Sequence, residues 1–103
     1  HNQHEEPQIK CRYSIDEKRG ECVVKIERFT SPHSEAGLEA LSSVALDLGF
    51  DDEVFSFDKV YAADTLKANG YELRIPLDEI RGPVMFIYAD IFGNEKWFLG
   101  DVV

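Results

Sequence analysis

The sequence predicts an all-β domain, a two-layer antiparallel β-sandwich of about seven strands with one short helical insertion. Three observations carry this. Apolar residues alternate with polar ones in short runs rather than at helical spacing. Turn signals recur about every ten residues. At 103 residues the chain is long enough for one hydrophobic core and too short for two.

The alternation is clearest at the start. Ile9, Cys11, Tyr13 and Ile15 are apolar and Lys10, Arg12 and Ser14 polar, which describes a half-buried strand. "DEKRG" turns the chain, and Cys22, Val24 and Ile26 continue the inner face on the way back. Cys11 then stands opposite Cys22, Val24 or Ile26 according to register, and only the first choice permits a disulfide. In "TSPHSEAGLEALSS" the alternation stops, and Ser31-Pro32 offers a helix start with Leu38 and Leu41 on one side. Val44, Leu46 and Leu48 form the next strand, and an acidic turn leads to another built on Val54 or on Phe55 and Phe57. Asn69-Gly70 reads as a turn between a loop and a strand carrying Tyr71, Leu73 and Ile75. Pro76 ends that strand because it has no ladder donor. "LDEIRGP" is a one-turn crossover anchored by Leu77 and Ile80.

The last hairpin, "VMFIYADIFGNEKWFLG", turns at Asp90 to Gly93, with Asp first and Gly fourth as in a type I turn. This register sets Met85, Ile87 and Ala89 against Trp97 and Leu99, and Lys96 beside Tyr88. Because burying an unpaired ammonium is costly, the side bearing Lys96 is expected to face solvent. Phe86, Tyr88 and Phe98 then point outward. Both faces of the hairpin are apolar, so the outer one is covered by the chain itself (residues 34 to 42) or forms an interaction surface. Phe86, Tyr88 and Phe98 are the candidate contact residues.

Charge narrows the partners. The formal net charge is −9, with residues 1 to 30 balanced and the excess in residues 31 to 103. Such a surface repels phosphate and makes nucleic acid an unlikely primary partner. A stripe of Lys10, Arg12 and Lys25, with Lys18 and Arg19 in the turn, is the one candidate for phosphate contacts, or else a charged edge that resists aggregation. Asp47, Asp51, Asp52, Glu53 and Asp58 supply oxygen donors suited to calcium, but their spacing is that of a solvated strand turn, not an EF-hand. His1, His4 and His33 are scattered in polar or proline-flanked segments. No nucleophile–base pair, phosphate loop or metal motif occurs, so no catalytic, cofactor-binding or metal residue and no cofactor is assigned. No apolar run reaches membrane-spanning length. Residues 1–7 are expected to be a flexible tail, a frayed end within a longer protein, and residues 8–103 the domain.

Two stretches, "VALDLGFDDEVFSFDKVYAADTL" and "IPLDEIRGPVMFIYADIFGNEKW", resemble the C-terminal β-sandwich region of bacterial site-specific DNA methyltransferases of type III restriction–modification systems. The resemblance implies an immunoglobulin/fibronectin-like module, non-catalytic and cytoplasmic, that contacts other domains or subunits of its parent. The methyl-transfer machinery would lie upstream, and none of its residues map here. The alternative is a fibronectin-like binding or spacer module of a secreted or cell-surface bacterial protein, in which Cys11 and Cys22 would be bonded.

Overall fold

The computed structural model describes residues 6–100. Seven strands form two antiparallel sheets. They are β1 (Gln8–Asp16), β2 (Glu21–Thr30), β3 (Leu41–Asp47), β4 (Lys59–Ala62), β5 (Glu72–Pro76), β6 (Val84–Asp90) and β7 (Glu95–Gly100). The three-stranded sheet runs β1-β2-β5 and the four-stranded sheet β4-β3-β6-β7. This is the sandwich that the alternation predicts, in an immunoglobulin-like order with the fourth strand paired to the third.

The core lies between the sheets. Val24, Ile26, Leu73 and Ile75 from one side meet Val44, Leu46, Phe86 and Tyr88 from the other, all essentially inaccessible. The Phe86 and Tyr88 rings stack 5.8 Å apart and fill the middle of the gap. Tyr13 of β1 stacks on Phe98 of β7 at 6.4 Å and closes the open side of the sandwich.

Sequence details account for most of the connections. Asp16 Oδ1 accepts the Arg19 amide in the first turn, which ends with Gly20 at φ +64°. The β1–β2 register sets Cys11 against Ile26 and Cys22 against Ile15, so both thiols are free. The segment 31–40 holds only a short 3-10 turn at Gly37–Ala40. Among the described residues the one α-helix, α1 (Ala63–Ala68), falls where a loop was expected. Its end is a Schellman motif: Tyr71 N donates to Leu66 O at 2.7 Å and Gly70 N to Lys67 O at 3.1 Å. Asn69-Gly70 therefore stops a helix instead of turning a hairpin, with Gly70 supplying the left-handed residue. The strand expected at Val54 to Phe57 does not form. Those residues belong to a loop, and β4 begins only at Lys59.

At the chain start, residues 1–5 lie outside the described residues. Pro7 is already buried, and Glu6 pairs with Lys96 at 3.3 Å, so the packed region includes two residues of the expected tail.

Candidate functional site

The β6–β7 register agrees with the sequence reading, and the assignment of its faces is reversed. Phe86 pairs with Phe98, Ile87 with Trp97 and Tyr88 with Lys96. Phe86 and Tyr88 point into the core and are fully buried. Phe98 shares their side at the sandwich edge, where it is half-exposed. Phe86 and Tyr88 are thus core residues rather than contacts. The reason lies in Lys96. β7 is an edge strand, so an inward-pointing lysine there can run along apolar surface and place its ammonium at the rim, where Glu6 meets it. The ammonium is not buried, and its side of the hairpin need not be the solvent side.

The outward side of the same sheet is apolar almost throughout. Cross-strand pairing lays Val60, Ala45, Ile87 and Trp97 in one row, and Met85 and Leu99 in the next. An antiparallel sheet with one face on a core ordinarily offers polar residues on the other. Here Val60 is 60% exposed, Trp97 46% and Leu99 48%, while Ala45 and Ile87 in the middle of the row are buried. The loop of residues 49–58 extends this surface. Phe55 packs against Trp97 at 5.6 Å and against Phe57 at 4.8 Å, and Phe57 itself is 69% exposed. Glu95 sits beside the patch and accepts the Trp97 indole N–H at 2.9 Å, which fixes the ring's orientation.

Carboxylates hold that loop in place. Asp47 accepts the amides of Gly49 and Ser56 at 3.0 and 2.8 Å. Asp58 accepts the Leu48 amide at 2.8 Å and pairs with Arg81 at 2.9 Å. The Leu48 amide, then Arg81, hold the Asp58 carboxyl below its ordinary value. Asp51 accepts the Glu53 and Val54 amides. The acidic stretch therefore serves as turn and loop caps. Among the described residues no three His, Cys, Asp or Glu side chains are grouped to hold a metal ion.

Asp90 is a turn residue, as its position implies. It is buried and accepts hydrogen bonds from Ser31 Oγ, the amides of Phe92 and Asn94, and the Asn94 side chain. Burial pushes its carboxyl up, and the hydrogen bonds from Asn94, Ser31 and Phe92 together outweigh this and hold it low. It ties the last turn to the end of β2.

Two members of the basic stripe are engaged by the protein itself. Arg12 pairs with Glu27 at 2.7 Å, and Lys25 donates to the Gly70 carbonyl at 2.6 Å. In the same face Arg74 bridges Asp16, Glu21 and Glu72. Lys18 and Arg19 lie in the β1–β2 turn, and Lys10 lies on β1 beyond Arg12. These cations alternate with anions instead of converging on one point.

One cluster of reactive side chains lines a shallow groove of about 260 Å³ at the β1 edge, formed by Ile9, Lys10, Cys11, Tyr13, Tyr88 and Phe98. Cys11 Sγ lies 3.5 Å from the Tyr88 hydroxyl. Burial pushes the Cys11 thiol up, and burial beside Cys11 pushes Tyr13 up to about 12. A thiol shifted in that direction is a poor nucleophile at neutral pH.

The comparisons with known proteins add nothing to this geometry: no family model, no curated protein and no solved structure matches the chain. Of the three candidate contact aromatics, Phe86, Tyr88 and Phe98, only Phe98 stays accessible. Trp97, Leu99, Val60 and Phe57 are the surface residues that the reading missed. The signal for them was present in the two-sided apolarity of the last hairpin.

Proposed function

We propose that the chain is a non-catalytic accessory β-sandwich that works by docking, with the outer face of its four-stranded sheet seated on another domain or subunit of a larger parent protein. The observation that carries this reading is the exposed apolar surface of Val60, Trp97 and Leu99 around the buried Ile87, continued by Phe55 and Phe57. Leaving such a surface in water is unfavourable by about 25 cal/mol per Å², so a sheet face of this composition gains by being covered. The reactive groups that exist support the non-catalytic half of the proposal. Cys11 is held as a neutral thiol, and Asp90, Asp47 and Asp58 are engaged with backbone amides.

The candidate parent is a type III restriction–modification DNA methyltransferase. That part of the proposal rests on the two resembling stretches, residues 44–66 and 75–97. They contribute the end of β3, the 49–58 loop, β4 and the β6–β7 hairpin, which together build the apolar face. A cytoplasmic setting belongs to the same proposal and is supported by the two free thiols, which the β1–β2 register keeps apart. Among the described residues, no helix is long and apolar enough to cross a membrane. A bond between Cys11 and Cys22 would favour the secreted-module alternative. Thiol titration of denatured, unreduced protein should return two thiols, and none would favour export.

The deciding experiment is hydrogen–deuterium exchange on the complete reading frame and on this chain alone. Segments carrying Trp97, Leu99 and Phe57 should exchange more slowly in the parent, while the Lys10–Arg12 segment behaves alike in both. Equal exchange of the apolar face in the two contexts would discard the docking reading. Methyltransferase motifs upstream in that frame would support the candidate parent, and a signal peptide would replace it.

A further inference from the structure

From the charge around the apolar face we infer that its occupant is a cationic amphipathic protein segment, one that presents apolar anchors flanked by lysine or arginine. The inference rests on the docking reading above and names the partner's chemistry. On the outward positions of β3, β4, β6 and β7 there is no lysine or arginine; the polar residues there are Ser43, Asp47 and Glu95. The crest of the neighbouring loop is Asp51, Asp52 and Glu53, all exposed.

Within residues 31 to 103 the cations are already matched, on both sheets. Residues 31 to 103 contain five lysines and arginines against fourteen acids. Lys59 pairs with Glu79, Lys67 with Glu39, Arg81 with Asp58, Lys96 with Glu6, and Arg74 with three carboxylates. The charge left over in these residues is negative, and part of it is carried by Glu95, bonded to Trp97, and by exposed Asp51–Glu53, two residues before the Phe55 that packs on Trp97.

That balance selects among occupants. A second copy would bring Glu95 and the Asp51–Glu53 crest of two chains, each of net charge −9, toward one another. Nucleic acid and anionic membrane are repelled for the same reason. A segment with apolar residues for the exposed Trp97, Leu99 and Val60 and cations for the acidic loop satisfies both parts of the surface.

Trp97 is the sole tryptophan, so its fluorescence reports directly on this face. The test titrates the intact chain with two amphipathic helical peptides of one design, Leu/Lys and Leu/Glu. The Leu/Lys peptide should shift Trp97 emission and the Leu/Glu peptide should not. Raising salt from about 50 to about 500 mM should weaken the complex roughly tenfold. The triple variant Asp51→Asn, Asp52→Asn, Glu53→Gln should weaken it by a similar factor. Leu99→Ser should weaken the peptide complex too, which ties binding to this face and not to the domain's overall charge. Equal, salt-independent binding of both peptides would overturn the cationic partner while leaving apolar docking in place. Binding of neither, or unchanged affinity in Leu99→Ser, would also overturn it, and the exchange comparison would then decide the docking reading separately. A dimer in sedimentation that Leu99→Ser dissociates would replace the cationic segment with a second copy.

Discussion

The outer faces of the two sheets use the same backbone geometry for opposite purposes. On the β1-β2-β5 sheet the outward residues are salt-bridged in patches: Arg12 with Glu27, and Arg74 with Asp16, Glu21 and Glu72. On the β4-β3-β6-β7 sheet the corresponding positions are Val60, Ala45, Ile87, Trp97, Met85 and Leu99. The first face is a solvent face, charged enough to resist edge pairing and nearly neutral in sum. The second resembles half of an interface. The contrast shows that inside and outside are relative terms in a small sandwich. Only one sheet has a face that water suits, and the other is apolar on both sides.

The largest expected effect separates core from surface within a single hairpin. Phe86→Ala should destabilise the chain by about 3–5 kcal/mol, since it removes a ring from the middle of the sandwich. Tyr88→Ser should cost a similar amount and leave Cys11 without its hydroxyl neighbour. Trp97→Ser and Leu99→Ser, one residue away in the strand pair, should each cost about 1 kcal/mol or less in the isolated chain. Urea denaturation of the four variants measures this directly. A Trp97→Ser variant less stable than Phe86→Ala would reverse the faces again.

Next in size is the carboxylate that holds the last turn. Asp90→Ala removes the acceptor for Ser31, Phe92 and Asn94 and should cost about 1–3 kcal/mol. Asp90 and Asp58 also set an acid limit. Both carboxyls are held below their ordinary value in the folded chain. Their contribution is complete above the unfolded value of about 4 and is lost as pH falls through the folded values. Thermal melts between pH 7 and pH 2 should show stability falling on the acid side, with a shallower fall in Asp90→Asn. Equal slopes in the two proteins would mean that Asp90 titrates alike folded and unfolded.

How much of this was legible depends on whether neighbouring rules agreed. In the first hairpin the alternation left the register open but gave one inner face. Strands and turn follow it, and Cys22, Val24 and Ile26 are buried, while Tyr13 and Ile15 on the edge strand stay exposed. In the last hairpin the turn chemistry fixed the pairing, and Asp90 and Gly93 sit as their positions imply. The faces were harder, because with both sides apolar only Lys96 broke the tie. Its weight depends on whether β7 is an edge strand, and strand order is not a property of local sequence. Asn69-Gly70 failed for another reason. Gly at a left-handed position serves hairpin turns and helix ends equally, and the six residues of α1 are too few to show a helical period. The apolar outer face was half legible, since the two-sided apolarity of β6 and β7 was visible but the contribution of Phe55 and Phe57 was not. They reach Trp97 only because Asp47 and Asp58 fold the loop back over the sheet.

The smallest effect tests the solvent face. A double-mutant cycle on Arg12→Gln and Glu27→Gln should return a coupling of about 0.2–1 kcal/mol, because Arg12 is 70% exposed and its attraction to Glu27 is screened. The coupling should shrink as salt rises. The same logic bears on phosphate. If Lys10, Arg12 and Lys25 met nucleic acid, reversing Lys10 and Arg12 to Glu would abolish a salt-dependent affinity measurable on the wild-type chain. Arg12 and Lys25 already have protein partners, so fluorescence anisotropy with a short duplex should show no saturable binding for either protein. A wild-type complex that weakens with salt and disappears in the reversed variant would make this stripe a second working surface, and the two outer faces would then differ in their partners rather than in whether they have one.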